Sequence, residues 1–245
     1  MDVYNNVLFG NEGAHFLIAM DDAETYIKYE GKAGNEGGIM EYKTIIDKLS
    51  NRTPTLLGHE QFGKFAVLLP LIEKDDELHV LFEVRAFHLN RQPGEICFPG
   101  GKIDPNDKNA QEAAIRETVE ELGIEKTSII NIFPLDYIVS PFDTIIYPFV
   151  ATISHPDKMK PNKEEVAEIF TVPLSFFQQT APEVYHVHFK VEPEANFPFD
   201  KIPNGENYNW RARKMDEHFY YYENKVIWGL TARIIYHFIE LIRKD

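Results

Sequence analysis

An unbroken apolar run, Phe65–Ile72 (FAVLLPLI), sets the first condition on the fold. A strand with no polar side is buried on both faces, so it belongs inside a sheet that is covered above and below. Asp75-Asp76-Glu77 supply a turn, and Leu78–Val84 (LHVLFEV) read as the hairpin partner. Ile96-Cys97-Phe98 is a short strand stopped by Pro99-Gly100-Gly101. Asn109–Leu122 has helical spacing and is closed by Gly123. Further strands are expected at Ile129–Leu135, Ile145–Ile153 and Ile169–Val172, and Pro173-Leu174-Ser175 opens a short helix. Tyr185–Val191 alternates like a half-exposed strand, and His218–Tyr222 leads into a terminal helix expected over Val226–Ile242. Together these elements describe one α/β domain over residues 40–245, opened by a helix at Met40–Leu49. Residues 1–39 are rich in glycine with scattered acids; they read as a loosely ordered N-terminal extension or as an extra β-element docked on the domain.

Composition removes several classes of function. The 245 residues are 44% hydrophobic and 26% charged, the balance of a chain that folds. Lys+Arg number 25 against Asp+Glu 39, a net charge of −14, which argues against nucleic acid as a partner. Cys97 is the single cysteine, so no intrachain disulfide forms and a cysteine zinc site is not expected. No segment approaches the ~20 apolar residues that span a bilayer, and the N-terminus has no basic stretch before its apolar patch. A cytoplasmic protein without a membrane-spanning segment is the expectation. A small anionic substrate stays open if metal ions bring the positive charge.

The chemistry concentrates on the helix Asn109–Leu122. At about 100° per residue, Glu117, Glu120 and Glu121 share an arc of roughly 100°, with Ile115, Val119 and Leu122 opposite. Like charges at this spacing repel. Hard divalent cations need several converging carboxylate oxygens, and this cluster offers them. Arg116 stands four residues before Glu120 and can hold it by a charge-assisted hydrogen bond. Gly100-Gly101 permits a tight turn that brings backbone near phosphates and a carbonyl near a metal. A solvated acidic helix face is the alternative. The whole string Arg-Glu-x-x-Glu-Glu-x-Gly is more specific: at roughly one in 15 per position it arises by chance of order once in a few thousand chains of this length.

That string resembles the box of the Nudix hydrolases, G-x5-E-x7-R-E-U-x-E-E-x-G-U with U aliphatic. Gly101, Arg116, Glu117, Glu120, Glu121, Gly123 and Ile124 match it. Thr118 takes an aliphatic position, and Asp107 takes the first acidic position, one residue farther from Arg116; a role for Asp107 at the start of the helix is the competing reading. Upstream, Leu81, Arg85, Ala86, Gly94 and Phe98–Gly101 resemble the motif L-L-T-x-R-[S/A]-x3-R-x3-G-x3-F-P-G-G of coenzyme A pyrophosphatases, with Arg91 displaced by one from the second arginine. The resemblance implies an α/β/α sandwich with a mixed β-sheet. It implies Mg²⁺ or Mn²⁺ held by Glu117, Glu120, Glu121 and the Gly101 carbonyl, and Arg116 among the catalytic residues. The substrate would be a small diphosphate such as coenzyme A, free or acylated, cut to 3′,5′-ADP and 4′-phosphopantetheine. Arg85 and Arg91 are candidates for its phosphates, with Gly100 and Lys102 beside them. Glu164, Glu165 and Glu168 are candidates for a general base supplied by a facing loop. ADP-ribose or NADH is the alternative substrate, a ligand-sensing domain without catalysis is the alternative class, and a homodimer is an assembly left open.

Three other features are set aside. His186 and His188 share one face of a strand, and an exposed strand face explains them. Tyr220-Tyr221-Tyr222 and Trp210 could stack a base, but core packing is the better reading. Cys97 in its apolar strand reads as buried filler.

Overall fold

The computed structural model describes residues 42–211 and 213–244. The reading of residues 1–39 lies outside them. The first described element is α1 (Tyr42–Ser50), which buries none of its residues. The chain divides into two compact units between Thr55 and Leu56. The second unit carries the remaining elements.

Its centre is β1 (Gly63–Lys74), the apolar run extended at both ends. One edge of β1 pairs in parallel with β7 (Thr144–Ile153), from Gly63 opposite Thr144 to Leu71 opposite Thr152. The other edge is divided. Phe65–Val67 pair antiparallel with β4 (Gly100–Lys102), whereas Leu71–Lys74 pair with the start of β2 (Glu77–Arg85). Between those two stretches stands Pro70. Leu68 donates its N–H toward this edge, to Pro99 O at 2.8 Å, so Pro70 two residues on turns its missing donor to the same side. The β1–β2 hairpin closes through Asp75 and Asp76, both at positive φ (53° and 62°), as a tight twisted turn requires. The far half of β2 pairs with β3 (Ile96–Cys97) on the same edge that meets β1, while its other edge pairs with β8 (Val166–Pro173) from His79 to Arg85. β5 (Ile129–Pro134) and β6 (Ile138–Ser140) pair with β7.

Alternation along these strands builds two cores. Ala66, Leu68, Leu81, Phe149 and Ala151 pack with Ala113, Ala114 and Leu122 of α2 (Ala110–Leu122). Leu69, Val80, Phe82 and Val150 face the other way. They meet Phe177 of α3 (Leu174–Gln179) and Ile235, Phe238 and Ile239 of α4 (Gly229–Arg243). The mixed sheet is therefore covered on both sides, the α/β/α sandwich expected from the sequence. A second sheet, of β9 (Glu183–Phe189), β10 (Arg213–Tyr222) and β11 (Lys225–Trp228), lies beside it in the chain.

The terminal helix corrects one expectation. It starts at Gly229, not Val226. Val226–Trp228 instead pair with Tyr221–Phe219 as the return strand of a hairpin. Trp228 is extended (φ −142°) and the helix opens only after it. Tyr220 is buried against Phe176 and Phe177, as core packing predicts, whereas Tyr221 and Trp210, expected in the core with it, are exposed. No helix among the described residues is long and apolar enough to cross a membrane.

Candidate active site

The helix α2 is fixed at both ends by its own sequence. Asn109 Oδ1 accepts the Glu112 N–H at 2.9 Å, capping the first turn. Gly123 adopts the left-handed conformation (φ 60°) and donates to Val119 O. Two carbonyls left over at the helix end are satisfied from outside. Lys160 donates its N–H to Leu122 O at 3.0 Å, and Asn162 donates to Glu121 O at 2.9 Å. The same segment continues to Glu165, whose carbonyl accepts from Ala86 at the end of β2. One short strap thus joins the end of the helix to the end of the strand.

The three glutamates of α2 occupy different environments. Glu120 is the most open, with a side chain 54% exposed. Glu117 is only 17% exposed and its carboxyl lies against Gly101, where a Cβ would come within 2.4 Å of Cδ. Glu121 is buried, contrary to a shared wet face, and accepts the Gly100 N–H at 2.8 Å. Gly100 has no room for a side chain either: a Cβ would sit 2.4 Å from Ala66 O. The glycine pair is what lets the carboxyls come down onto β4. Thr118, at the aliphatic position, is fully buried, with its hydroxyl donating to Ala114 O at 2.7 Å.

Arg116 organises the exposed side of the cluster. It donates to Glu117 Oε1 at 2.8 Å and to Glu120 Oε2 at 3.4 Å. Its Nε and second terminal nitrogen grip both oxygens of Asp107, at 3.1 and 2.9 Å. Asp107 therefore clamps Arg116 and does not cap the helix; the extra residue of spacing is absorbed in the loop before Asn109. Its carboxyl is held below the usual range by that guanidinium.

Glu83 was absent from the sequence-based candidates, yet it stands in this cluster. Leu81 packs on the α2 side of the sheet, so Glu83, two residues along β2, points to the same side. It is buried; Oε1 accepts from the Cys97 thiol at 3.3 Å and Oε2 has no partner. A lone charge inside LHVLFEV was the available signal. Burial raises the carboxyls of Glu83, Glu117 and Glu121 above their ordinary range, and the charges of Glu83 and Glu117 raise Glu121 further. The Cys97 thiol is pushed up by burial and by Glu83, so it stays a thiol and a donor.

A pH dependence follows from Glu121. A carboxyl raised in the folded state contributes stability that is complete below its ordinary value of 4.5 and is lost as pH rises through the folded value. Glutamine carries no charge at any pH. In chelator, the Tm of Glu121→Gln minus that of the native chain should therefore grow as pH rises from about 5 to about 9. A constant difference in calorimetry would contradict the burial of this charge.

The other candidates separate clearly. Arg85 lies close enough to Glu83 to lower its pKa, and its Nε has no partner. Arg91 is exposed in the loop between β2 and β3. Lys102, with Asp104, Asn106, Asp107, Arg116 and Glu117, lines a cleft of about 450 Å³. Glu165 is exposed and near enough for its charge to raise Glu83, Glu117 and Glu121. Glu164 is exposed beside His88, at 3.8 Å. Glu168 pairs with Lys225 at 2.7 Å; opposite Val84 in the register, it faces away from Glu83. His186 is exposed and paired with Asp216 at 2.8 Å.

Among the described residues, no three His, Cys, Asp or Glu side chains already surround a common point, and Glu117 is turned to Arg116. The donor set nevertheless fits a hard dication in kind. It offers carboxylate oxygens only, two of the carboxyls are buried, and neither of those two has an ion-pair partner.

Comparison with protein-family models matches the NUDIX domain over residues 64–195. Among curated proteins, the chain is 39% identical over 132 residues to a peroxisomal coenzyme A diphosphatase of Mus musculus, covering 54% of this chain and 55% of that protein. It is 36% identical over 172 residues to a peroxisomal coenzyme A diphosphatase of Caenorhabditis elegans, covering 66% of this chain and 69% of that protein. An uncharacterised Nudix hydrolase of Enterobacter sp. (strain 638) is 31% identical over 173 residues, covering 69% of this chain and 78% of that protein.

Proposed function

We propose, from the premise that this chain belongs to the Nudix family, that it hydrolyses the diphosphate of coenzyme A or an acylated derivative. The products are 3′,5′-ADP and 4′-phosphopantetheine or its acyl form. The observation that carries the reading is Glu121, buried and held by the Gly100 N–H beside Glu117 and Gly101. The names of the mouse and nematode relatives support the substrate.

A diphosphate repels an incoming hydroxide, so the barrier is largely electrostatic. Mg²⁺ or Mn²⁺, when bound, would neutralise the phosphate oxygens and acidify the attacking water. Glu117, Glu120 and Glu121 would hold the cations with the Gly101 carbonyl. Arg116 orients Glu117 and Glu120 and is itself anchored by Asp107. Arg85, at the end of β2, takes an anionic oxygen of the substrate through its guanidinium, and Arg91 and Lys102 flank the approach. Glu165 takes the proton of the water as its oxygen bonds to phosphorus and the bridging P–O bond breaks. Of Glu164, Glu165 and the β8 residue Glu168, Glu165 alone is close to the cluster and free of a described ion pair.

The test is incubation of the purified chain with coenzyme A, ADP-ribose and NADH separately, each with Mg²⁺, and identification of products by mass. Appearance of 4′-phosphopantetheine is the expected result. Cleavage of ADP-ribose or NADH with coenzyme A untouched would move the substrate. Binding without any cleavage would replace the enzyme by a sensing domain. For compartment, the cytoplasm expected from the sequence stands beside the peroxisome that two relatives carry in their names.

A further inference from the structure

We propose that Glu83 is a further carboxylate that holds the divalent cation, extending the site from helix α2 to strand β2. The inference rests on the metal-dependent reading above. Glu83 is 1% exposed in a strand whose other central residues are apolar. Its Oε2 has no partner, and its Oε1 has only a thiol, a weak donor. A carboxylate buried this way is costly unless a positive charge meets it. Arg85 is near but forms no ion pair with it, and its own Nε is also unpartnered.

The backbone brings Glu83 to the site from a direction that α2 does not supply. Cys97 stands opposite Glu83 in the β2–β3 register and donates a hydrogen bond to it from the thiol. Three residues on, Gly100 gives its N–H to Glu121. The segment Cys97–Gly100 therefore links two buried carboxyls, one from the strand and one from the helix, each left with an oxygen for another partner. Glu83 stands at the position that is threonine in the coenzyme A pyrophosphatase motif this chain resembles.

The experiment is a titration of the native chain, Glu83→Gln and Glu83→Thr with Mn²⁺. Free ion is followed by electron paramagnetic resonance, and folding by circular dichroism. The expected result is a Kd for at least one Mn²⁺ weakened about 10–100-fold in both variants, with a metal-free Tm no lower than native for glutamine. Native-like Mn²⁺ affinity and stoichiometry in the folded variants would overturn the role of Glu83 alone. If the native chain itself takes up no Mn²⁺, the metal-dependent reading falls too. A crystal of the native chain soaked in Mn²⁺ decides the matter without any variant: an anomalous peak within coordination distance of the Glu83 carboxylate supports the assignment, and a peak served only by α2 overturns it.

Discussion

Glu121→Gln is expected to lower kcat with Mg²⁺ by about 10²–10³-fold, comparable to the loss of one strong transition-state stabiliser. The substitution is a sharp one because the fold has little reason to object. The glutamine oxygen can still accept the Gly100 N–H that now meets Glu121 at 2.8 Å. The side chain keeps its volume in a buried site. What disappears is one negative charge, and with it the proposed grip on a dication. Steady-state kinetics with Mg²⁺, paired with a thermal melt, separate the two effects. Near-native turnover in a folded variant would remove Glu121 from the chemistry.

Gly123→Ala should be the most damaging small change to the scaffold, lowering stability by roughly 2–6 kcal/mol and Tm by on the order of 10 °C. Two costs coincide there. The backbone is at φ 60°, where an L side chain is strained, and a Cβ would fall 2.1 Å from Lys160 O. The carbonyl belongs to the strap that closes the end of α2, so relief must come from moving that backbone. Gly205→Ala is the matched control. Its φ is 47°, but the nearest atom to a Cβ is Phe199 O at 3.5 Å, which leaves only the strain, about 1 kcal/mol. Urea midpoints of the two variants should differ widely. Similar midpoints would mean that the strap yields freely.

The sequence made the local features readable and left the long-range ones hidden. Phe65–Ile72 had no polar side, so its place in mid-sheet followed. Asn109 and Gly123 bracketed α2 by capping chemistry that depends on neighbours a few residues away. Helical spacing also put Glu117, Glu120 and Glu121 on one side. It could not reveal that Glu121 is buried, because that depends on β4, some twenty residues upstream, coming close enough to donate a hydrogen bond. Glu83 was hidden for the same reason: its neighbours arrive from β3 and α2. For Asp107 two readings stood open, first acid of the box or helix-start residue, because its contact with Arg116 depends on how the intervening loop folds. Val226–Trp228 carried apolar spacing compatible with a helix, and only pairing with β10 decided for a strand.

Pro70 has an influence out of proportion to its chemistry. A residue with a donor at that point would let β1 go on zipping to one neighbour, whereas an imino acid acts as a stop on the zipper. Two partners are thereby kept apart, and the wedge between them is where the acidic groups gather. Where the carboxyls meet is decided, in part, by a backbone nitrogen that has no hydrogen to give.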